Sequence, residues 1–174
     1  MFGIIPPFWA QPGGNPVAII SGQNSATFVD EFWSTTDGIN WTVLTVPTGA
    51  TLTGLPGRAA QSGANIVWPG TMIVSNDRGL TWRIPANPYD CAWVASNGSG
   101  DFLFTGGDSA SSTTAGTSSD AGETWSIQND SGNGGSYLYP TWADSKWHAQ
   151  YQNSSSTAQS AWSATGASGS WTLT

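Results

Sequence analysis

The sequence predicts an all-β chain made of four tandem copies of one short antiparallel unit, and three observations carry that expectation. A turn motif ending in tryptophan recurs at Trp41, Trp82, Trp125 and Trp171, at intervals of about 41 to 46 residues, the length of a four-stranded unit. Short apolar or aromatic runs precede each turn, and no stretch has the helical period with caps that a long helix needs. Only 9% of the 174 residues are charged, yet the chain carries 22 glycines and 11 tryptophans. Disordered chains are charge-rich and aromatic-poor, so this composition is that of a folding chain. Its length suits one domain with a real core, spanning residues 1–174.

Each unit reads as four strands in order. The first strand falls around Phe8-Trp9, Arg58-Ala59-Ala60, Cys91-Ala92-Trp93-Val94 and Pro140-Thr141-Trp142. The second is the apolar or aromatic run from Val17 to Gly22, Asn65 to Gly70, Asp101 to Gly106 and Trp147 to Gln152. Between these two strands of the third unit, Ser96-Asn97-Gly98-Ser99-Gly100 is a hairpin signal. The path from the second strand to the turn tryptophan is equally long from Gly22, Gly106 and Gln152. From Gly70 to Trp82 it is shorter, so the second unit is trimmed. The last strand follows the turn, from Trp41 to Val46, Trp82 to Ile84, Trp125 to Gln128 and Trp171 to Leu173. The approximate units are therefore 1–48, 49–87, 88–131 and 132–174.

The turns themselves are Ser34-Thr35-Thr36-Asp37-Gly38-Ile39-Asn40-Trp41, Ser75-Asn76-Asp77-Arg78-Gly79-Leu80-Thr81-Trp82 and Ser118-Ser119-Asp120-Ala121-Gly122-Glu123-Thr124-Trp125. A degenerate copy runs from Ser163 to Trp171 with Gly166 and Gly169 but no aspartate. The residue types have physical reasons. An aspartate accepts hydrogen bonds from turn amides, glycine supplies a positive φ, and tryptophan anchors the hairpin in the interior.

This motif resembles the Asp box of sialidase-type and related β-propellers, whose pattern is Ser/Thr, any, Asp, any, Gly, any, Thr, Trp. The second and third copies match it closely, the first is one residue shorter between Asp and Trp, and the fourth lacks the carboxylate. The resemblance implies a small β-propeller of four blades, each a four-stranded antiparallel sheet. It also implies that Asp37, Gly38, Trp41, Asp77, Gly79, Trp82, Asp120, Gly122, Trp125 and Trp171 build turns, away from any active face. With a first strand at the start and a last strand at the end, a closed ring would lack the strand exchange that fastens many propellers. A curved, open array that dimerises is the alternative.

Composition excludes several function classes. The net charge is −7 and the cations are Arg58, Arg78, Arg83 and Lys146, too few to gather phosphates, so nucleic acid is not an expected partner. Cys91 is the single cysteine, which rules out an internal disulfide. With His148 as the only histidine, a zinc cage is not expected either. The expected role of Cys91 is a buried small hydrophobe. No metal or cofactor is expected. Met1 to Pro7 lacks a positive n-region, and no run approaches the roughly 20 apolar residues of a membrane span, so neither a signal peptide nor membrane insertion is expected.

The likeness to sialidases raises the question of hydrolysis, because it implies a cluster of three arginines, a Tyr/Glu pair and an Asp acid/base. No position carries over. Arg78 lies inside a turn, Arg83 follows a turn tryptophan, and of the two glutamates, Glu31 and Glu123, the second is again inside a turn. A generic glycosidase needs two carboxyl groups flanking the bond. Asp30 and Glu31 are neighbours on a presumed strand and point to opposite faces. Asp90, Asp101, Asp108, Asp130 and Asp144 fall in turns or at strand ends, and His148 has no nucleophile context. Catalysis is not expected, and a glycoside hydrolase fragment is the remote alternative.

Two non-enzymatic readings remain. Trp9, Trp93, Trp142 and Trp147 are candidate glycan-binding residues, since flat aromatic faces beside Asn, Gln and Asp suit sugar rings, and repetition would multiply weak sites. The competing reading places the same tryptophans in the core between blades. A surface poor in Lys and Glu but rich in Trp also suits interfaces. In this the chain has a general likeness to small phage structural proteins. That likeness implies a non-enzymatic virion subunit, tail-side or capsid-decorating, whose partners are other virion proteins, copies of itself and host glycans. A free propeller lectin is the alternative.

Overall fold

The computed structural model describes residues 18–23, 30–35, 39–50, 58–86, 88–106, 114–129, 135–153, 155, 157–167 and 169–174. Every regular element among them is a β-strand. The chain forms several antiparallel sheets, made in sequence order. The first contains β1 (Ala18–Gln23), β2 (Asp30–Thr35) and β3 (Thr42–Leu44). Then come β4 (Ala60–Ser62) and β5 (Asn65–Trp68), followed by a two-residue strand, β6 (Gly70–Thr71), and by β7 (Ile73–Ser75). Strands β4, β5 and β7 make the second sheet, while β6 leaves it to pair with β8 (Asp90–Cys91). The third sheet is the meander β9 (Trp93–Ser96), β10 (Phe102–Thr105), β11 (Thr114–Ser118) and β12 (Ser126–Asn129). The fourth is β13 (Ser136–Ala143), β14 (Lys146–Gln152), β15 (Ala158–Ser163) and β16 (Thr172–Leu173).

Local chemistry accounts for the irregular places. The expected last strand of the second unit shrinks to a single bridge between Val74 and Arg83. Pro85, two residues on, has no N–H with which to extend a ladder. In β13 the register slips between Leu138 and Thr141, where Pro140 removes a donor and Tyr139 takes φ 53°, a β-bulge built around a proline. The Asn97 hairpin forms as expected between β9 and β10. Its side-chain Oδ1 accepts from the Ser99 and Asp101 amides at 2.8 and 3.1 Å.

The core lies between successive sheets. Period-two alternation sends neighbouring residues of one strand to different partners. Ile66 and Trp68 face Ile19, Phe32 and Leu44 of the first sheet, while Val67 joins Phe102, Phe104 and Val94 of the third. Leu103 turns the other way, onto Trp147 of the fourth. Strands β5 and β10 are thus buried on both faces, with Val67, Phe102, Leu103 and Phe104 fully enclosed, which is why they read as apolar runs rather than alternating strands.

Candidate functional site

The second and third turns are hydrogen-bonded alike. Ser75 Oγ donates to Asp77 Oδ1 at 2.8 Å and accepts from the Gly79 amide at 2.7 Å. Ser118 does the same for Asp120 and Gly122 at 2.8 and 2.9 Å. The Thr81 amide donates to Asp77 Oδ1 at 2.9 Å and its hydroxyl to Oδ2 at 2.6 Å. Thr124 repeats this on Asp120 at 2.9 and 2.5 Å. Indole Nε1 of Trp82 and of Trp125 closes the turn on the carbonyl of Gly79 or Gly122, at 3.0 Å in both. Arg78 and Ala121 at φ 64°, followed by glycines at φ 84° and 88°, give the backbone its left-handed pair.

Burial raises the pKa of Asp77 and Asp120, but the hydrogen bonds from the threonine hydroxyl and amide and from the serine outweigh it and hold both below the ordinary carboxylate value. In the fourth turn hydroxyls replace the carboxylate. Ser163 Oγ meets Ser170 Oγ at 2.5 Å and accepts from the Gly166 amide at 2.8 Å, while Ser170 donates to the Ala167 carbonyl at 2.5 Å. Trp171 stacks on Tyr137, with ring centres 4.6 Å apart. In the first turn Asp37 and Gly38 lie outside the described residues; Trp41 is described and is 42% exposed.

Gly79, Gly122 and Gly166 each press on the sheet before their own, whereas Gly169 meets nothing. A Cβ on Gly122 would meet Val67 and Val74, and one on Gly166 would meet Thr117 and Leu103. Gly79 lies likewise on Ile19. The turns therefore hold the stack of sheets together, and their carboxylates spend their acceptor capacity on that task. Arg83 and Glu123 are also committed, to each other across the second and third units, with Arg83 Nη1 donating to Asn76 Oδ1 at 2.9 Å.

Beside the third turn lies a cleft of about 330 Å³ between the third and fourth sheets, lined by Asn97, Asp101, Ser119, Thr124, Trp142 and Thr165 among others. Trp142 packs edge-on against Trp147, ring centres 4.8 Å apart. Both line the cleft, but Trp147 is only 4% exposed and belongs to the core, whereas Trp142 is half-buried. The polar wall is preset: Asn97 Nδ2 donates to Asp101 Oδ2 at 2.6 Å. An aromatic edge facing hydroxyl, amide and carboxylate groups is chemistry for a polyhydroxylated ligand.

The four candidate tryptophans thus part company. Trp142 and Trp147 come together; Trp93 instead covers Gly106 and tilts against Tyr139, ring centres 4.7 Å apart; Trp9 lies outside the described residues. From the sequence, Asp101 falls in a turn or at a strand end, Asn97 in a hairpin and Thr124 in a turn motif, and none of them, nor Thr165, carries a binding role. The usable signal for the first two was the Asn97 to Asp101 hairpin tip, whose side chains face each other. Among the described residues no group of three or more His, Cys, Asp or Glu is placed to hold a metal, and no helix is long and apolar enough to cross a membrane.

No protein-family model and no curated protein matches the sequence. Among solved structures, the chain is similar to that of YCF48 bound to D1 peptide, a β-propeller protein, with a TM-score of 0.53 and 16% identity. The fold is propeller-like. The match covers 83% of this chain and 46% of the other, so this propeller-like chain spans less than half the length of that neighbour.

Proposed function

We propose that the chain is a non-enzymatic binding and assembly subunit: four Asp-box propeller blades that hold a glycan-contacting cleft at Trp142. The observation that carries the reading is the division of labour among polar groups. Asp77 and Asp120 are saturated by donors within their own turns, while Asn97, Asp101, Thr165 and the Trp142 ring line an open cleft. The turn carboxylates are engaged within their own turns, whereas the polar and aromatic groups of the cleft face open space. That the YCF48 neighbour is recorded with a peptide bound further favours a binding role for this fold.

The composition, poor in lysine and glutamate and rich in tryptophan, supports placement in an assembly. We assign that assembly to a bacteriophage virion, on its tail side or decorating its capsid, with other virion proteins, copies of the chain and host glycans as partners. The test is glycan-array binding by the purified chain, repeated with Trp142→Ala, together with immunogold labelling of native particles. The reading expects array binding that falls at least about tenfold in the variant, and gold on the particle. Binding without particle association makes the protein a free lectin. Turnover of a glycoside, abolished by one carboxylate substitution, makes it an enzyme.

A further inference from the structure

The cleft beside Trp142 presents acceptors rather than donors. The Asp101 carboxylate lines it, steadied by Asn97 Nδ2 on Oδ2 at 2.6 Å. The Thr124 hydroxyl spends its proton on Asp120 Oδ2 at 2.5 Å, and the Thr165 hydroxyl donates to Ser170 Oγ at 3.1 Å. A hydroxyl has one proton, so both threonines offer a ligand only lone pairs. Such a wall holds a ligand that brings its own donors.

The cleft also lacks positive charge. All four lysine and arginine residues and the one histidine of the chain are described, and none of them lines it. Lys146 precedes Trp147 on β14 and so points to the other face, where its ammonium lies 3.9 Å from the centre of the Trp162 ring. Arg58 and Arg78 are exposed on the second unit. Arg83 is held by Glu123 and Asn76. It directly follows Trp82, and the residue that directly follows Trp125 is Ser126, which lines the cleft. A serine thus stands where the second unit has its cation. The fixed charge here is negative, from Asp101 in the wall and from Asp120 bonded to Thr124.

We propose that the cleft selects an uncharged sugar and rejects acidic ones, with Asp101 as the residue that decides. The inference rests on the glycan-contacting reading above and narrows it. Hydroxyls of a neutral ring donate to the Asp101 carboxylate, a charge-assisted bond stronger than one to a neutral acceptor, while Trp142 takes an apolar side of the ring. A sialic acid, a uronate or a sulfate ester carries an anion that calls for a cation, best the fork of an arginine. Here that anion meets a carboxylate and accepting oxygens, and it is left unpaired in a like-charged site. The ligand class is therefore the opposite of the one that likeness to sialidases implies.

The test is an array of paired glycans, each neutral chain printed beside the same chain capped by sialic acid, glucuronate or sulfate. It is read with the full wild-type chain, Asp101→Asn and Trp142→Ala. The proposal expects wild type to bind neutral members, at least about tenfold more weakly each acidic partner, and to hold its neutral signal as salt rises from about 50 to 500 mM. Asp101→Asn, with an unchanged circular dichroism spectrum, is expected to bind the neutral members about tenfold more weakly. Signal confined to acidic glycans overturns the proposal and leaves glycan contact standing. So does a folded Asp101→Asn that binds and discriminates as wild type does. Neutral binding that persists in Trp142→Ala overturns it by placing the sugar elsewhere. Silence on both kinds of glycan overturns the glycan reading itself and this proposal with it. The paired comparison on wild type needs no substitution, so it decides the charge preference even where Asp101→Asn fails to fold.

Discussion

A Cβ built on Gly122 would fall 2.7 Å from Cγ2 of Val67, so the backbone of the third turn lies directly on the second sheet. Glycine is needed there twice over, for its φ of 88° and for that approach. Gly98 makes an internal comparison, with φ 78° and nothing near its missing Cβ. Gly98→Ala is expected to lower stability by about 1–2 kcal/mol, the left-handed penalty alone. Gly122→Ala adds the displacement of Val67 and Val74, about 1–3 kcal/mol more. Urea unfolding midpoints of the two variants check this, and equal losses would show that the turn does not bear on the second sheet.

Asp77 and Asp120 make the fold acid-sensitive. Their folded pKa values lie below the ordinary value of 3.8, so the ionised form is the one the turns stabilise. That contribution is complete above the ordinary value and is lost as pH falls through the lowered one. Asp120→Ala is expected to cost about 1–3 kcal/mol at neutral pH, and the double variant with Asp77→Ala should flatten the acid limb of the stability profile. Thermal unfolding followed from pH 7 down to pH 2 reads both effects.

Thr105 Oγ1 is fully buried and has no hydrogen-bond partner among the described residues. Replacing Thr105 by valine keeps the shape and the branched β-carbon while removing the orphaned hydroxyl. Thr105→Val is expected to raise stability by about 1 kcal/mol, measured by urea unfolding. A loss of stability would mean that the hydroxyl has a partner in solution.

Burial pushes the Cys91 thiol up to about 12, and the side chain is 1% exposed. Thiolate is the reactive form. A chromogenic disulfide reagent should therefore leave the native protein untouched over minutes at pH 8 and titrate one thiol per chain after unfolding in guanidinium. Rapid native labelling would show that the β6–β8 region opens.

Much of the architecture was legible because it is written in short-range chemistry. Hairpin residues such as Asn97 and Gly98, and the Ser, Asp, Gly, Thr and Trp of the second and third turns, act on neighbours within a few positions. The run Phe102-Leu103-Phe104 announced a strand for the same reason, and the structure buries it on both faces. In the fourth sheet Trp147 stands opposite the turn serine Ser163, a register that strand pairing sets and spacing alone does not. The separation of Trp142 from Trp93 was not legible either, because both follow the same compositional rule and differ only in which neighbouring sheet they meet.

The amino-acid order by itself determined that this chain is all-β, that a tryptophan-ending motif recurs along it, and which residues close the second and third turns, since each decision is made by contacts local in sequence. Only the tertiary structure decided which glycine lies on which sheet and which tryptophan edges a polar cleft. Those outcomes depend on side chains from different sheets meeting across about 10 Å of packed interior, a distance over which local pattern carries no information.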